Sequence, residues 1–130
     1  MKNPNDIKNK KITLVVVEDD KFLVKAYQIK FTSAGFNIIT ATDGVAGFEL
    51  AQKEMPALII LDLMLPKMNG FEFLKAIKAD DKTKHIPVII LSNLGQLGDR
   101  EKALSLGAAD YLVKTDYKLE EIVEKIKGLI

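Results

Sequence analysis

The chain contains no cysteine, which excludes disulfides, thiolate zinc sites and thiol nucleophiles. Its single histidine, His85, rules out a His-rich metal site. Neither sign of charge is in excess: 19 Lys+Arg against 18 Asp+Glu leave a formal charge of +1. There is therefore no general electrostatic drive toward nucleic acid or anionic membrane. No apolar run approaches membrane-spanning length, and the opening Met1-Lys2-Asn3-Pro4 lacks the hydrophobic region of a signal peptide. The default expectation is a cytoplasmic protein with no membrane insertion and no direct nucleic-acid contact, whose function rests on local charge. What is present is 130 residues, 48% of them hydrophobic, enough for one domain with a real core.

Residues 1–10 are polar and read as a mobile lead-in, with the folded domain expected over 11–130. From Ile12 a β-branched run, Ile12 to Val17, stops at Glu18-Asp19-Asp20 and predicts a first strand. A helix follows from about Asp20, its cap, to Ala34, with Leu23, Tyr27, Phe31 and Ala34 on one stripe and Gly35 as terminator. A second strand covers Phe36 to Ala41. Asp43-Gly44 opens a helix weakened by Gly44 and Gly47, with Phe48 and Ala51 inward and Pro56 beyond its end. Further strands are expected at Ala57–Leu61, Pro87–Leu91 and Ala109–Val113, and helices at Gly70–Ala79, Leu97–Leu106 and Tyr117–Ile130. In the last helix Leu119, Ile122, Val123, Ile126 and Leu129 form one stripe. His85 falls in the polar linker Asp80–His85 and reads as a solvated loop residue. Five alternations of strand and helix with short connections predict an α/β fold: a parallel sheet covered by helices on both faces.

Four of the five strands end in a polar or charged residue: Glu18-Asp19-Asp20, Asp62, Ser92 and Lys114. In a parallel sheet these ends share one edge, where ligands bind in open α/β folds. Asp62 is the most conspicuous, because it closes the apolar run Leu58-Ile59-Ile60-Leu61, and a buried strand should not end in an unpartnered carboxylate. If the first and third strands are neighbours, Asp19 and Asp62 face each other across about 5 Å. At that separation two carboxylates repel by about 3 kcal/mol at an effective dielectric near 20, so one is protonated or a cation sits between them. All-oxygen donors with few protein ligands suit Mg²⁺, which shares its shell with water and phosphate. Lys114 and Ser92 add an ammonium and a hydroxyl for an anionic group, the equipment of phosphoryl transfer, with Asp62 as the natural nucleophile. Taken singly, Asp20 reads as an N-cap, Ser92 as a turn residue, Lys114 as a solvated lysine and Tyr111 as packing; four such residues at four strand ends change the reading.

The segments Leu14 to Asp20, Ile60 to Gly70, Ile90-Leu91-Ser92 and Gly107 to Lys114 together resemble the receiver domain of two-component response regulators. The resemblance spans residues 11–130. It implies a doubly wound (βα)5 flavodoxin-like sandwich with strand order 2-1-3-4-5. It also implies a phosphoacceptor at Asp62, Mg²⁺ held by Glu18, Asp19, Asp62 and the backbone carbonyl of Met64, a switch hydroxyl at Ser92, a phosphate-binding Lys114, and an aromatic switch at Tyr111 that moves inward on phosphorylation. The donor would be a sensor histidine kinase or a histidine phosphotransfer protein, and an output protein would read the face of helix four, strand five and helix five. Such a domain is not an enzyme on a separate substrate: it catalyses only its own phosphotransfer and dephosphorylation. With no output module after residue 130, the phosphorylated form is expected to act through another protein unless the chain is a piece of a longer one.

Two positions depart from the family pattern. Thr115 follows Lys114 where the family usually has a cis proline, and a cis bond to a non-proline residue costs about 3 kcal/mol. Asn93 follows Ser92 where a small residue is common. These departures keep open a pseudo-receiver, the same fold acting as a phosphorylation-independent interaction module. A flavodoxin binding FMN would need a hydroxyl-rich phosphate loop where this chain has Glu18-Asp19-Asp20. A haloacid-dehalogenase-type phosphatase would need a second Asp at Met64. Met64 and Leu94, two residues beyond Asp62 and Ser92, offer no hydrogen bond to a hydrolytic water, so slow self-dephosphorylation is expected.

Overall fold

A computed structural model describes residues 11–93 and 98–130. The lead-in 1–10, Leu94 and the expected helix start at Leu97 lie outside the described residues. Five strands, β1 (Thr13–Val17), β2 (Asn37–Ala41), β3 (Leu58–Asp62), β4 (Val88–Ser92) and β5 (Asp110–Val113), alternate with α1 (Lys21–Ser33), α2 (Gly44–Glu54), α3 (Gly70–Ala79), α4 (Asp99–Ser105) and α5 (Leu119–Leu129). The strands form one parallel sheet in the order β2-β1-β3-β4-β5. This is the flavodoxin-like arrangement expected from the resemblance.

Alternation along each strand divides the core into two layers, since successive side chains point to opposite faces. Val15, Val17, Ile59, Leu61, Val88 and Ile90 pack with Ala51, Phe73, Leu74, Ile77 and Ala103 of α2, α3 and α4. Leu14, Val16, Leu58, Ile60, Ile89, Leu91 and Leu112 pack with Tyr27 and Phe31 of α1 and with Ile122, Val123 and Ile126 of α5. Because both faces are covered, the central strands are apolar apart from one terminal residue each, which is why they read as continuous runs in the sequence.

Several boundaries differ from expectation for local reasons. Asp62 and Ser92 are the last residues of β3 and β4 and not the first residues beyond them; they pair in register with Leu91 and Val113. The helix expected over Leu97–Leu106 is the seven-residue α4, preceded by Gly98 at φ +92°. The last helix starts two residues late because Lys114–Asp116 forms a 3-10 turn, and Leu129, expected on its buried stripe, is exposed. The glycines of α2 weaken helix propensity, yet both are buried. A Cβ at Gly47 would stand 2.8 Å from a methyl of Val17, so packing against β1 requires the missing side chain and outweighs propensity. His85 is exposed, as expected.

Candidate functional site

The site begins with β1. Its last residue, Val17, is followed by Glu18, whose backbone N–H donates to the Ala41 carbonyl of β2 at 3.0 Å. That bond carries the sheet one residue further and turns the Glu18 side chain inward, where it is 2% exposed. Glu18 Oε2 accepts the Asp19 N–H at 3.1 Å and the Asp20 N–H at 3.4 Å, fixing the turn into α1. Asp20 leaves the cluster to cap α1, accepting from Phe22 N–H at 2.9 Å and Leu23 N–H at 3.3 Å, the cap role the sequence assigned it.

Asp62 arrives from the neighbouring strand, 5% exposed, and accepts a long bond from the Met64 N–H at 3.5 Å. Carboxylate oxygens of Glu18, Asp19 and Asp62 lie within 4.8 Å of one another. Into this cluster reaches Lys114, its side chain 9% exposed. Its Nζ is 2.6 Å from Glu18 Oε1 and 3.6 Å from Asp62 Oδ1. Glu18 and Lys114 are 96 residues apart in the chain. Every peptide bond among the described residues is trans; the 3-10 turn that opens at Lys114 leads the chain away, and the lysine reaches both carboxylates with Thr115 in place of proline. Ser92, at the end of β4, is 5% exposed on the same edge. Tyr111 is buried against the α2, α3 and α4 layer, so its ring already lies inward, and its carbonyl accepts from Arg100 Nη1 of α4 at 2.9 Å. Met64 is exposed.

Electrostatics follow from this geometry. Burial is the largest influence on Glu18 and pushes its carboxyl above the usual range; the nearby Asp62 adds to the rise and the Lys114 ammonium opposes it. Tyr27, read from sequence as core alone, feels the same cluster: burial first, then the charges of Glu18, Asp62 and Asp20, hold its hydroxyl far above the ordinary phenol value. No sequence signal set it apart from Phe31 on the same stripe, because its place below the acids appears only once α1 is laid across the sheet.

Three carboxylates and one ammonium leave the cluster short of positive charge by two, the charge of a divalent cation. The donors are all oxygen, with neither imidazole nor thiolate among them, which fits Mg²⁺ and not zinc.

Comparison with known proteins agrees with the geometry. The family model described as response regulator receiver domain matches residues 14–127. The DNA-binding dual master transcriptional regulator RpaA of Synechocystis is 36% identical over 117 residues, covering 90% of this chain and 48% of that protein. The response regulator PleD of Caulobacter vibrioides is 37% identical over 101 residues, 78% of this chain and 22% of that protein. The chain thus spans half or less of these relatives' length. Among solved structures, a chemotaxis protein of Vibrio cholerae superposes with a TM-score of 0.85 at 26% identity, covering 93% of this chain and all of that one. The receiver domain of a Pseudomonas aeruginosa sensor histidine kinase, which has a magnesium ion coordinated in its active site cleft, superposes at 0.84 with 25% identity over 92% of this chain and 98% of that one.

Proposed function

The chain belongs to the response regulator receiver domain family, and on that premise we propose that Asp62 accepts a phosphoryl group from a sensor histidine kinase or a histidine phosphotransfer protein. The observation that supports this most is the meeting of Glu18, Asp19 and Asp62 within 4.8 Å, with Lys114 reaching two of them. A carboxylate oxygen of Asp62 attacks phosphorus in line while the P–N bond to the donor imidazole breaks. The electron pair stays on that nitrogen as its lone pair while the other ring nitrogen carries the proton, so the donor histidine leaves as a neutral imidazole.

Glu18, Asp19, Asp62 and the Met64 carbonyl are the residues to hold Mg²⁺, which when bound neutralises charge on the transferring phosphoryl oxygens. Lys114, already 3.6 Å from Asp62, pairs with a phosphoryl oxygen, and the Ser92 hydroxyl donates to another. With the Tyr111 ring already inward, the movement of Ser92 carries the change along β4 and β5 to α4, which Arg100 ties to the Tyr111 carbonyl. This biases partner affinity on the face of α4, β5 and α5. The domain acts on itself and on no separate substrate. We place it in the cytoplasm, where kinase domains meet their receivers; no helix among the described residues is long and apolar enough to cross a membrane. The pseudo-receiver alternative drew on Thr115 and Asn93; Lys114 reaches both carboxylates with Thr115 beside it, and Asn93 is exposed. With Met64 offering only an apolar side chain, the phosphoryl group is long-lived; Met64→Asn is expected to shorten its lifetime.

The test is incubation with acetyl phosphate and intact-mass spectrometry. One phosphoryl adduct that requires Mg²⁺ and is absent from Asp62→Asn is expected. A chain that stays unmodified with saturating Mg²⁺ overturns the reading.

A further inference from the structure

The loop from Leu63 to Asn69, which carries the Met64 carbonyl, is held at two points by glycines. At its base, Gly70 N–H donates to the Leu63 carbonyl at 2.9 Å, and a Cβ on Gly70 would stand 2.7 Å from Leu63 Cα and 2.9 Å from the Asp62 carbonyl oxygen. At its tip the loop meets a different element, the first turn of α2. Gly44 N–H donates to the Pro66 carbonyl at 3.4 Å, and the same carbonyl accepts from Met68 N–H at 2.7 Å. A Cβ on Gly44 would overlap the Met68 carbonyl oxygen and lie 2.7 Å from Met68 Cβ and 3.0 Å from Met68 C. Those are mostly backbone atoms, which a rotamer change does not clear. Lys67, between these contacts, sits at φ +67°, and its Nζ is 3.7 Å from Asp43 Oδ2, the cap of α2.

We propose that Gly44 is a positioning residue for the cation site: by letting α2 touch the Pro66–Met68 backbone, it fixes the loop that presents the Met64 carbonyl and so sets the preference for Mg²⁺ over Ca²⁺. This rests on the metal site proposed above. Mg²⁺ demands near-ideal octahedral oxygens at short distance, whereas Ca²⁺ accepts more ligands in looser geometry. A methyl at 44 must push the loop tip outward to reach ordinary contact distance. A displacement of that kind penalises the ion with the stricter shell. Gly47 supplies a matched control, because its Cβ would meet the core side chains of Val17 at 2.8 Å and Phe73 at 3.2 Å and not the loop.

The experiment is calorimetric titration of the parent, Gly44→Ala and Gly47→Ala with MgCl₂ and with CaCl₂, alongside thermal melting of each. Gly44→Ala is expected to weaken Mg²⁺ binding about tenfold, as loss of a supporting group around a metal site does, and Ca²⁺ binding distinctly less. Gly47→Ala is expected to melt lower with an unchanged ratio of the two affinities. Equal ratios in the parent and Gly44→Ala, or the same change in both variants, overturn the proposal. A parent that binds neither ion overturns the metal-site reading itself and this inference with it. Should Gly44→Ala not fold, Pro66→Gly frees the backbone of the same loop tip without a clash. A shift of its ratio toward Ca²⁺ supports the proposal, and an unshifted ratio overturns it.

Discussion

Lys114 is the one cation that the ion pairs among the described residues bring to Glu18 and Asp62. Removing one partner of a buried pair leaves the other charge without compensation, at about 3 kcal/mol or more in a deep interior. At a sheet edge, where water enters, Lys114→Met is expected to lower unfolding stability by about 2 kcal/mol in metal-free buffer. Denaturant melts with EDTA and with Mg²⁺ check this: the deficit should shrink when a divalent cation replaces the missing ammonium. The clustering of Glu18, Asp19, Asp62 and Lys114 was legible only from the conjunction of polar side chains closing several apolar strands on one edge, since each taken singly has an ordinary structural reading. Tyr27 and Gly44 were not legible. One is a ring on an apolar stripe and the other a poor helix residue, and what each touches depends on how separate elements meet.

Among the helices, α2 shows how capping and packing share the work. Asp43 Oδ1 accepts the Ala46 N–H at 2.8 Å; this bond, with the nearby Lys67, holds the Asp43 carboxyl below its usual range. A carboxyl depressed in the folded state contributes stability that is present above its unfolded value, about 3.9, and is lost as pH falls through the lower folded value. Asp43→Asn keeps the capping oxygen and removes the titration. Its acid limb, followed by circular dichroism below about pH 4, is expected to be flatter than the parent's. Helix α3 lies over Gly70–Ala79, where the sequence placed it, and the structure adds a capping box between Asn69 and Glu72 at its N-terminus. The span of α4 was not legible. Its expected start rested on an apolar residue and not on a capping one, and no side chain caps its N-terminus. At the far end of α5, Leu129 fits the helical period but is exposed, outside the layer that buries Ile122, Val123 and Ile126.

At the scale of the molecule, the alternation of apolar strands and amphipathic helices made the layered α/β fold legible, because each strand must bury both faces. Strand order was not: periodicity leaves the neighbours of each strand open, and the order 2-1-3-4-5 came from the family resemblance. That order puts β1 and β3 side by side and β5 at the far edge, and the long side chain of Lys114, just after β5, spans the distance back to Glu18 and Asp62. Glu18 and Lys114, 96 residues apart in the chain, make one of the long-range closures whose loop entropy must be offset by the contacts they bring. A fragment ending at Leu106 keeps Glu18, Asp19, Asp62 and Ser92 but lacks β5, α5 and Lys114. It is expected to show no cooperative melt and to take no label from acetyl phosphate. A polypeptide cut short before β5 therefore gathers three carboxylates with no ammonium to offset them.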